Sequence, residues 1–203
     1  MAERRTLLAG CYPCLNQVNT IGFDDAPFPR EHRGDVLLVG VVCARTRIDG
    51  VVSDRVRRDG RNATDRIASA VLDSGFRGHL HAVLLQGIAV AGFNVIDVKA
   101  LSERVDLPVV VIARRAPRLA LIREALLGPA SRVPGGRRKW QLIEQAGPME
   151  PIGPVFVQRV GISPEATRKL LERTTLHGNV PEPLRLAHLI AGGVTTGRSR
   201  GRT

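Results

Sequence analysis

The pattern of predicted strands and helices in this 203-residue chain favours an α/β fold, with a mixed five-stranded sheet flanked by helices and a mostly helical C-terminal part. Three strand-like segments come first and are joined by short turns, which predicts an antiparallel meander. Two apolar strands then alternate with helical segments, as in βα units. Most of the remaining chain has helical periodicity. A chain of this length can bury a substantial core, so we expect one domain.

The first three strands are defined by apolar runs and by the turn residues between them. The first is predicted from about Val18 to Asp24, followed by the turn-rich link PFPREHRG. The second, Asp35 to Thr46, is nearly continuously apolar, which is typical of a central strand. After IDG, which is expected to be a turn, Val51 to Arg58 alternates between apolar and polar residues. This alternation predicts an edge or half-exposed strand.

Helices and strands then alternate. Asn62 or Thr64 can cap a helix that Gly75 closes. The next segments are a buried fourth strand at His79 to Gly87, a short helix around Asp97 to Val105, and a fifth strand at Leu107 to Arg114.

The C-terminal half is predicted to be mainly helical. Two helices end at Gly128 and Gly147, and a short sixth strand, GPVFVQRVG, follows them. Ser163 caps a further helix with Pro164 in its first turn, and PEPLRLAHLIAGG is the last helix. TTGRSRGRT is polar and basic, which predicts disorder. We therefore expect an irregular lead at 1–17, a single domain at 18–197 and a basic tail at 198–203.

Charge and hydropathy narrow the functional classes. The formal net charge is +11, from 30 basic and 19 acidic residues. This excess indicates a polyanionic partner such as nucleic acid, or alternatively an arginine-rich surface without one.

No segment approaches the roughly 20 apolar residues that span a bilayer. LLAGC, at Leu7 to Cys11, looks like a lipid-attachment box, but its apolar core of about four residues is too short for a signal sequence. A cytoplasmic protein is expected.

The three cysteines do not indicate a zinc site. Cys11 and Cys14 form a CxxC without a second pair of soft ligands, and structural zinc usually needs four. Cys43 lies within an apolar strand and is expected to be a core residue.

The predicted order β-β-β-α-β-α-β is that of a ribonuclease H-like domain. In that arrangement the first and fourth strands lie side by side at the centre of the sheet, and their carboxylates form a magnesium site for phosphodiester hydrolysis. Such an analogy indicates where a site would lie, whereas its chemistry has to come from the residues found there.

Asp24 and Asp25, in TIGFDDAPF, are adjacent acids at the end of the first strand. Neighbouring side chains of a strand point to opposite faces, so only one of the two faces a given site unless the strand bends. The alternative is a turn in which the acids accept bonds from local backbone N–H groups.

Three further polar residues lie at the ends of predicted elements. Asp59 comes after the third strand, Gln86 ends the fourth strand, and Asp97 begins the short helix. The alternatives are an Asp-Gly turn, a buried amide and a helix cap, respectively. All three fall near the edge where strands one, three and four would converge, which favours a metal site.

Basic residues and a histidine could support such a site. Arg185 and His188 are three residues apart on the last helix and share a face, from which they could reach a scissile phosphate. The alternative for His188 is a packed or capping role. Four residues are predicted to contact phosphates, or alternatively to be solvated: Arg61, Arg137, Arg138 and Lys139.

Five segments, GFDDAPF, DGRNAT, GFNVIDV, LPVVVI and PEPLRLAHLIA, resemble in order and spacing the blocks of the endonuclease dU family, long an uncharacterised family and related to endonuclease V. The resemblance runs from about Thr20 to Gly197. It implies a ribonuclease H-like fold that acts on DNA with deaminated bases and uses a divalent metal.

The resemblance also implies roles for individual residues. Asp24 matches the aspartate expected to bridge metal ions, and Asp59 matches a carboxylate ligand. Gln86 stands where the family usually has aspartate, and Asn62 where aspartate is common. Since Mg²⁺ prefers anionic oxygen ligands, the neutral Gln86 is expected to weaken the binding of Mg²⁺ or Mn²⁺.

The sequence thus predicts a metal-dependent endonuclease for DNA repair, with DNA, or alternatively RNA, as partner and with catalytic and metal-binding roles for Asp24, Asp59 and Gln86. A second hypothesis is a catalytically degenerate nucleic-acid-binding protein that retains the nuclease fold. A third is a small-molecule hydrolase on the same scaffold. No feature of the sequence predicts the oligomeric state.

Overall fold

A computed structural model describes residues 18–199 of the chain. The predicted irregular lead at 1–17, the Cys11–Cys14 motif and residues 200–203 of the tail lie outside this range. No helix between residues 18 and 199 is long and apolar enough to cross a membrane.

The described residues form nine strands and six α-helices, together with one short 3-10 helix at Arg77–His79. The strands are β1 (Asn19–Asp25), β2 (Asp35–Ala44), β3 (Arg47–Arg57), β4 (Ala82–Gln86), β5 (Ala89–Val90), β6 (Asn94–Val95), β7 (Val109–Ala113), β8 (Glu150–Ile152) and β9 (Val155–Val160). The helices are α1 (Ala63–Leu72), α2 (Val98–Val105), α3 (Leu119–Leu127), α4 (Gly136–Ala146), α5 (Pro164–Thr174) and α6 (Glu182–Thr196).

Seven of the strands form one mixed sheet in the order β3-β2-β1-β4-β7-β9-β8. Strands β3, β2 and β1 are antiparallel, while β1, β4 and β7 are parallel to one another. This confirms the predicted ribonuclease H-like arrangement, with β1 and β4 side by side. The predicted sixth strand is β9, which pairs antiparallel with β7 and is followed outwards by β8.

Several details differ from the prediction. Strand β3 begins at Arg47, so the predicted turn IDG lies within it; the chain instead turns at Arg45, which has a positive φ of 57°. Helix α6 runs to Thr196, so the first residues of the predicted disordered stretch TTGRSRGRT are helical. Strand β8 and the separate ribbon of β5 and β6 were not predicted. These strands are two or three residues long, too short to show an alternating pattern.

Apolar clusters cover both faces of the sheet. Ile21 and Phe23 of β1 belong to the larger cluster, which includes α1 and α2, while Leu84 of β4 packs in a second cluster with Leu184 of α6. Cys43 is fully buried in the larger cluster, as expected, and burial raises the pKa of its thiol to about 12. Each face of β1 is therefore packed against helices, so a polar side chain on this strand needs a partner.

Gly22 allows α6 to lie directly on β1. A Cβ atom at this position would come within 2.7 Å of Pro183 and 2.8 Å of the Leu184 backbone nitrogen. From Gly22 to Asp24, two residues of β1 extend the chain by about 7 Å. From Leu184 to His188, four residues of α6 extend it by about 6 Å. The close approach at Gly22 therefore brings Asp24 of β1 opposite His188 of α6.

We expect Gly22→Ala to lower the free energy of unfolding by about 1–3 kcal/mol, because the added methyl group displaces α6 from the strand. Chemical denaturation measures the change. Gly78→Ala is the matched control, since no atom lies within 4 Å of a Cβ built at that position. Equal losses in both variants would contradict the close packing of α6.

Candidate active site

Asp24 and His188 form a side-chain pair at the end of β1. The Asp24 Oδ2 atom lies 2.9 Å from His188 Nδ1, and its Oδ1 atom accepts a hydrogen bond of 3.0 Å from the Asp25 backbone N–H. Asp24 is 7% exposed, whereas 44% of the His188 side chain is exposed. If Nδ1 donates to the carboxylate, a neutral His188 carries no proton on Nε2. That nitrogen is then able to accept a proton or bind a cation.

Asp25 faces the opposite side of the sheet from Asp24. Strand β1 continues in register with β2 as far as Asp25, so the strand does not bend between the two acids. The Asp25 carboxylate accepts a hydrogen bond from the Ala91 backbone. Burial, together with the nearby charge of Asp24, raises its pKa from 3.8 to about 6. The acidic pair is thus the end of a strand, and the predicted alternative of a turn is wrong.

Asp59 lies in the turn after β3, in a left-handed conformation with φ of 49°. Its Oδ1 atom accepts a 2.8 Å hydrogen bond from the Phe93 N–H, and its Oδ2 atom lies 3.3 Å from Arg58 Nε. The Asp59 N–H donates to the Ala91 carbonyl over 2.9 Å. Because Asp25 and Asp59 both bind Ala91, the turn of the β5–β6 ribbon links the two acids.

Lys139 binds the backbone of the Asp59 turn. Its side chain leaves α4, and its Nζ atom donates to the Asp59 carbonyl over 2.5 Å. Lys139 is only 3% exposed, and burial lowers the pKa of its ammonium group while the Asp59 carboxylate opposes that change. These contacts indicate a positioning role for Lys139, whereas the sequence analysis predicted a phosphate contact.

Two asparagines hold the rest of this turn. The Asn62 Oδ1 atom accepts hydrogen bonds from the Arg57 N–H at 3.1 Å and from Asn94 Nδ2 at 2.8 Å. Asn94 is fully buried, and its Oδ1 atom accepts a bond from the Ala63 N–H at the start of α1. Asn62 therefore uses its side-chain oxygen within the fold, at a position where the family resemblance implies that aspartate is common.

Gln86 ends β4 beside Asp24. Phe23 of β1 pairs with Leu85 of β4 in the parallel register, and continuing that register by one residue brings Asp24 and Gln86 side by side. Paired residues of parallel strands point to the same face, so both side chains belong to the face covered by α6. The two predicted residues of strands one and four are thus neighbours.

The residues at this edge provide few charges for a cation. Within residues 18–199, no three His, Cys, Asp or Glu side chains are grouped so that they could hold a metal ion. Both oxygens of Asp59 already have partners, and Gln86 adds oxygen without charge. Mg²⁺ is commonly bound by one or two carboxylates together with substrate phosphates. The donor set fits a cation that binds with the substrate, and does not fit a closed site made by the protein alone.

The comparison with known proteins decides the family. The endonuclease dU family model matches residues 16–195. This chain belongs to the endonuclease dU family.

Relatives of this endonuclease dU family member agree with that assignment. A UPF0215 protein of Deinococcus radiodurans is 56% identical over 191 residues, which are 94% of this chain and 95% of that protein. A protein of unknown function from Archaeoglobus fulgidus has a TM-score of 0.81 and 29% identity over 88% of this chain and 98% of that one. A third similar structure is a variant of Ciona intestinalis endonuclease V, crystallised with a 23mer DNA containing an inosine followed by a ribo-adenosine. It has a TM-score of 0.50 and 13% identity, and the match covers 84% of this chain and 82% of that one. This last likeness concerns the fold.

Two of the secondary candidates in this endonuclease dU family member have structural partners. The Asp97 Oδ1 atom accepts a 3.0 Å hydrogen bond from the Ala100 N–H, so Asp97 is the N-cap of α2. Arg185 binds the buried carboxylate of Glu182 through Nε and Nη2, at distances of 2.6–3.1 Å. These contacts favour the predicted cap for Asp97 and a structural role for Arg185, which was expected to reach a scissile phosphate.

A basic groove lies beside the Asp59 turn of this endonuclease dU family member. It has a volume of about 950 Å³ and is bordered by the β1–β2 loop, the β3–α1 turn and the start of α4. Of the four predicted phosphate contacts, Arg61, Arg138 and Lys139 line the groove and Arg137 does not. The contribution of the β1–β2 loop was not predicted, although its PREHR run carries charged side chains.

Proposed function

We propose that this endonuclease dU family member is a metal-dependent endonuclease that hydrolyses phosphodiester bonds in DNA containing deaminated bases, and so acts in DNA repair. The observation that carries the proposal is the Asp24–His188 pair, which ends the central strand β1 beside Gln86. The family membership supports nuclease activity. The inosine-containing DNA bound to the Ciona endonuclease V supports a deaminated substrate.

Asp24 and Gln86, neighbours on one face of the sheet, would hold Mg²⁺ or Mn²⁺ together with oxygens of the scissile phosphate. Asp59 is a further candidate ligand, although its contacts link it to Asp25 on the opposite face and its two carboxylate oxygens are bound by the Phe93 N–H and Arg58. When bound, the ion would polarise the phosphate and neutralise its developing charge. Asp24 would also fix the orientation of the His188 ring by accepting a hydrogen bond from its Nδ1–H group. His188 could then take a proton from the attacking water at Nε2, as a general base does. The Phe93 N–H, Arg58 and Lys139 would keep the Asp59 turn in place.

A second candidate function is nucleic-acid binding without cleavage. The neutral Gln86, at a position where the family resemblance implies aspartate, is the observation that favours it. Under this hypothesis, calorimetric titration with Mn²⁺ gives no heat and chelator leaves DNA affinity unchanged. Under the nuclease hypothesis, Mn²⁺ binding is measurable in the presence of DNA.

We expect weak nicking of uracil- and hypoxanthine-containing oligonucleotides by the native protein, and nicking at least about tenfold faster by Gln86→Asp, because a second carboxylate strengthens metal binding. The assay compares both proteins with Mg²⁺ and with Mn²⁺. Gln141→Asp, at an exposed position of α4, controls for the added charge. Nicking by Gln86→Asp alone would identify the native site as degenerate, and no nicking by either protein would refute the nuclease proposal.

A further inference from the structure

The groove beside Asp59 contains more arginine side chains than carboxylates that could pair with them. Seven arginines line it, and two of them, Arg57 and Arg58, are paired with aspartates. The other five come from three separate segments of the chain, and we call the surface that they line the arginine groove: Arg30, Arg33, Arg61, Arg132 and Arg138. All five are exposed, and none has a carboxylate partner within residues 18–199. Among residues 18–199, two acidic side chains line the groove, Glu31 and Asp59, and Asp59 is already bound by Arg58.

Such an arrangement is unfavourable without an anion. Five guanidinium groups around one concave surface repel one another, and the concave shape raises the local potential above that of isolated surface charges. Some exposed arginines elsewhere in the described chain are paired with aspartates, as Arg47 and Arg104 are, and others such as Arg168 are not. The five of the groove differ in sharing one concave surface. The unpaired charge in the groove therefore indicates a ligand that brings several negative charges.

The lining favours phosphates of a nucleic-acid backbone over bases. Residues that line the groove within the described chain include no Phe, Tyr or Trp. Proteins that bind single strands usually stack bases on aromatic side chains, whereas contacts to a duplex backbone need only cations and donors. The spread of arginines over three segments also exceeds what one phosphate ion would engage.

Arg58 fixes the wall of the groove that the β1–β2 loop provides. Its Nη1 atom donates to the Arg30 carbonyl over 2.6 Å and also to the His32 carbonyl, and its guanidinium carbon lies 5.5 Å from the centre of the Phe28 ring. The Arg58 backbone N–H donates to Gly34 over 2.9 Å. The loop is therefore ordered before any ligand binds, so less conformational entropy is lost on binding.

We propose that the arginine groove binds the phosphodiester backbone of duplex DNA and leads it to Asp59. The proposal rests on the proposed function in one respect, since Asp59 is one of the candidate metal ligands. Backbone contacts of this kind give affinity without base sequence preference, and that affinity falls steeply with salt. Arg58 positions the loop, and Arg30 and Arg33 contact phosphates.

The test measures binding of an undamaged, fluorescein-labelled DNA duplex of about 20 base pairs in EDTA, over roughly 50–200 mM NaCl. The double variant Arg30→Gln, Arg33→Gln is compared with Arg168→Gln, Arg173→Gln on α5, which removes equal charge away from the groove. We expect the groove variant to bind at least about tenfold more weakly at 100 mM NaCl, with a log–log salt slope smaller by about two. The α5 variant should match the native protein.

Equal losses in both double variants would overturn the proposal, because binding would then depend on total charge. Displacement of the duplex by millimolar inorganic phosphate or a mononucleotide would also overturn it, in favour of a small-anion site. Unchanged affinity of the groove variant would do the same. Because EDTA prevents metal-dependent cleavage, these outcomes are independent of the nicking assay. A protein that binds DNA through the groove but never nicks it would refute only the proposed function.

Discussion

Replacing Asp25 with asparagine is expected to stabilise the protein by about 3 kcal/mol at pH 8 and to change its stability little near pH 3.5. The native carboxyl has a pKa raised from 3.8 to about 6, chiefly by burial and then by the charge of Asp24. Between these two values the folded protein keeps a proton that the unfolded chain has lost. Native stability therefore falls as pH rises from about 4 to about 6, and it stays lower above that range.

Asparagine is nearly isosteric with the protonated acid and can still accept the Ala91 hydrogen bond, so the variant lacks only the cost of ionisation. Urea denaturation of both proteins across this pH range measures the difference. Glu103→Gln, at an exposed position of α2, controls for the removal of a carboxylate. A variant that is less stable than the native protein at every pH would show that the Asp25 carboxylate is a net stabilising group.

Local patterns were sufficient to predict the framework around this site. The apolar run of β2 and the short turns predicted the meander, because they leave few topologies. The order of strands and helices matched the ribonuclease H-like arrangement, from which the first and fourth strands were expected to be neighbours. The alternation of side chains along β1 also predicted that Asp24 and Asp25 would face opposite sides. Helical spacing put His188 on a face of α6 together with Arg185.

Contacts between distant segments could not be predicted in this way. The Lys139 side chain follows two arginines, so it looked solvated, yet its ammonium group binds a carbonyl 80 residues away. The ribbon that carries Ala91 has strands of two residues, which leave no periodic signal, although it links Asp25 to Asp59. The approach of α6 to β1 depends on the missing side chain of Gly22, and only the packed structure reveals that this glycine faces the helix.

Loss of either partner of the Asp24–His188 pair is expected to reduce nicking by a factor on the order of 10²–10⁴. His188→Ala removes the base, and Asp24→Ala removes both a charge for the metal and the acceptor that fixes the ring. If the two side chains act as one unit, the double variant should be no more than about threefold slower than the slower single variant.

Single-turnover nicking of a hypoxanthine-containing oligonucleotide with Mn²⁺ measures these rates, in the Gln86→Asp background if the native protein is too slow. His177→Ala, which replaces an exposed histidine in the segment before α6, is the control and should keep the parent rate. Urea denaturation verifies that each variant is folded. If the double variant reduces the nicking rate by the product of the two single reductions, Asp24 serves the metal and His188 acts independently of Asp24. An unchanged rate in His188→Ala would remove the histidine from the mechanism and leave Asp24 as a ligand that happens to contact it.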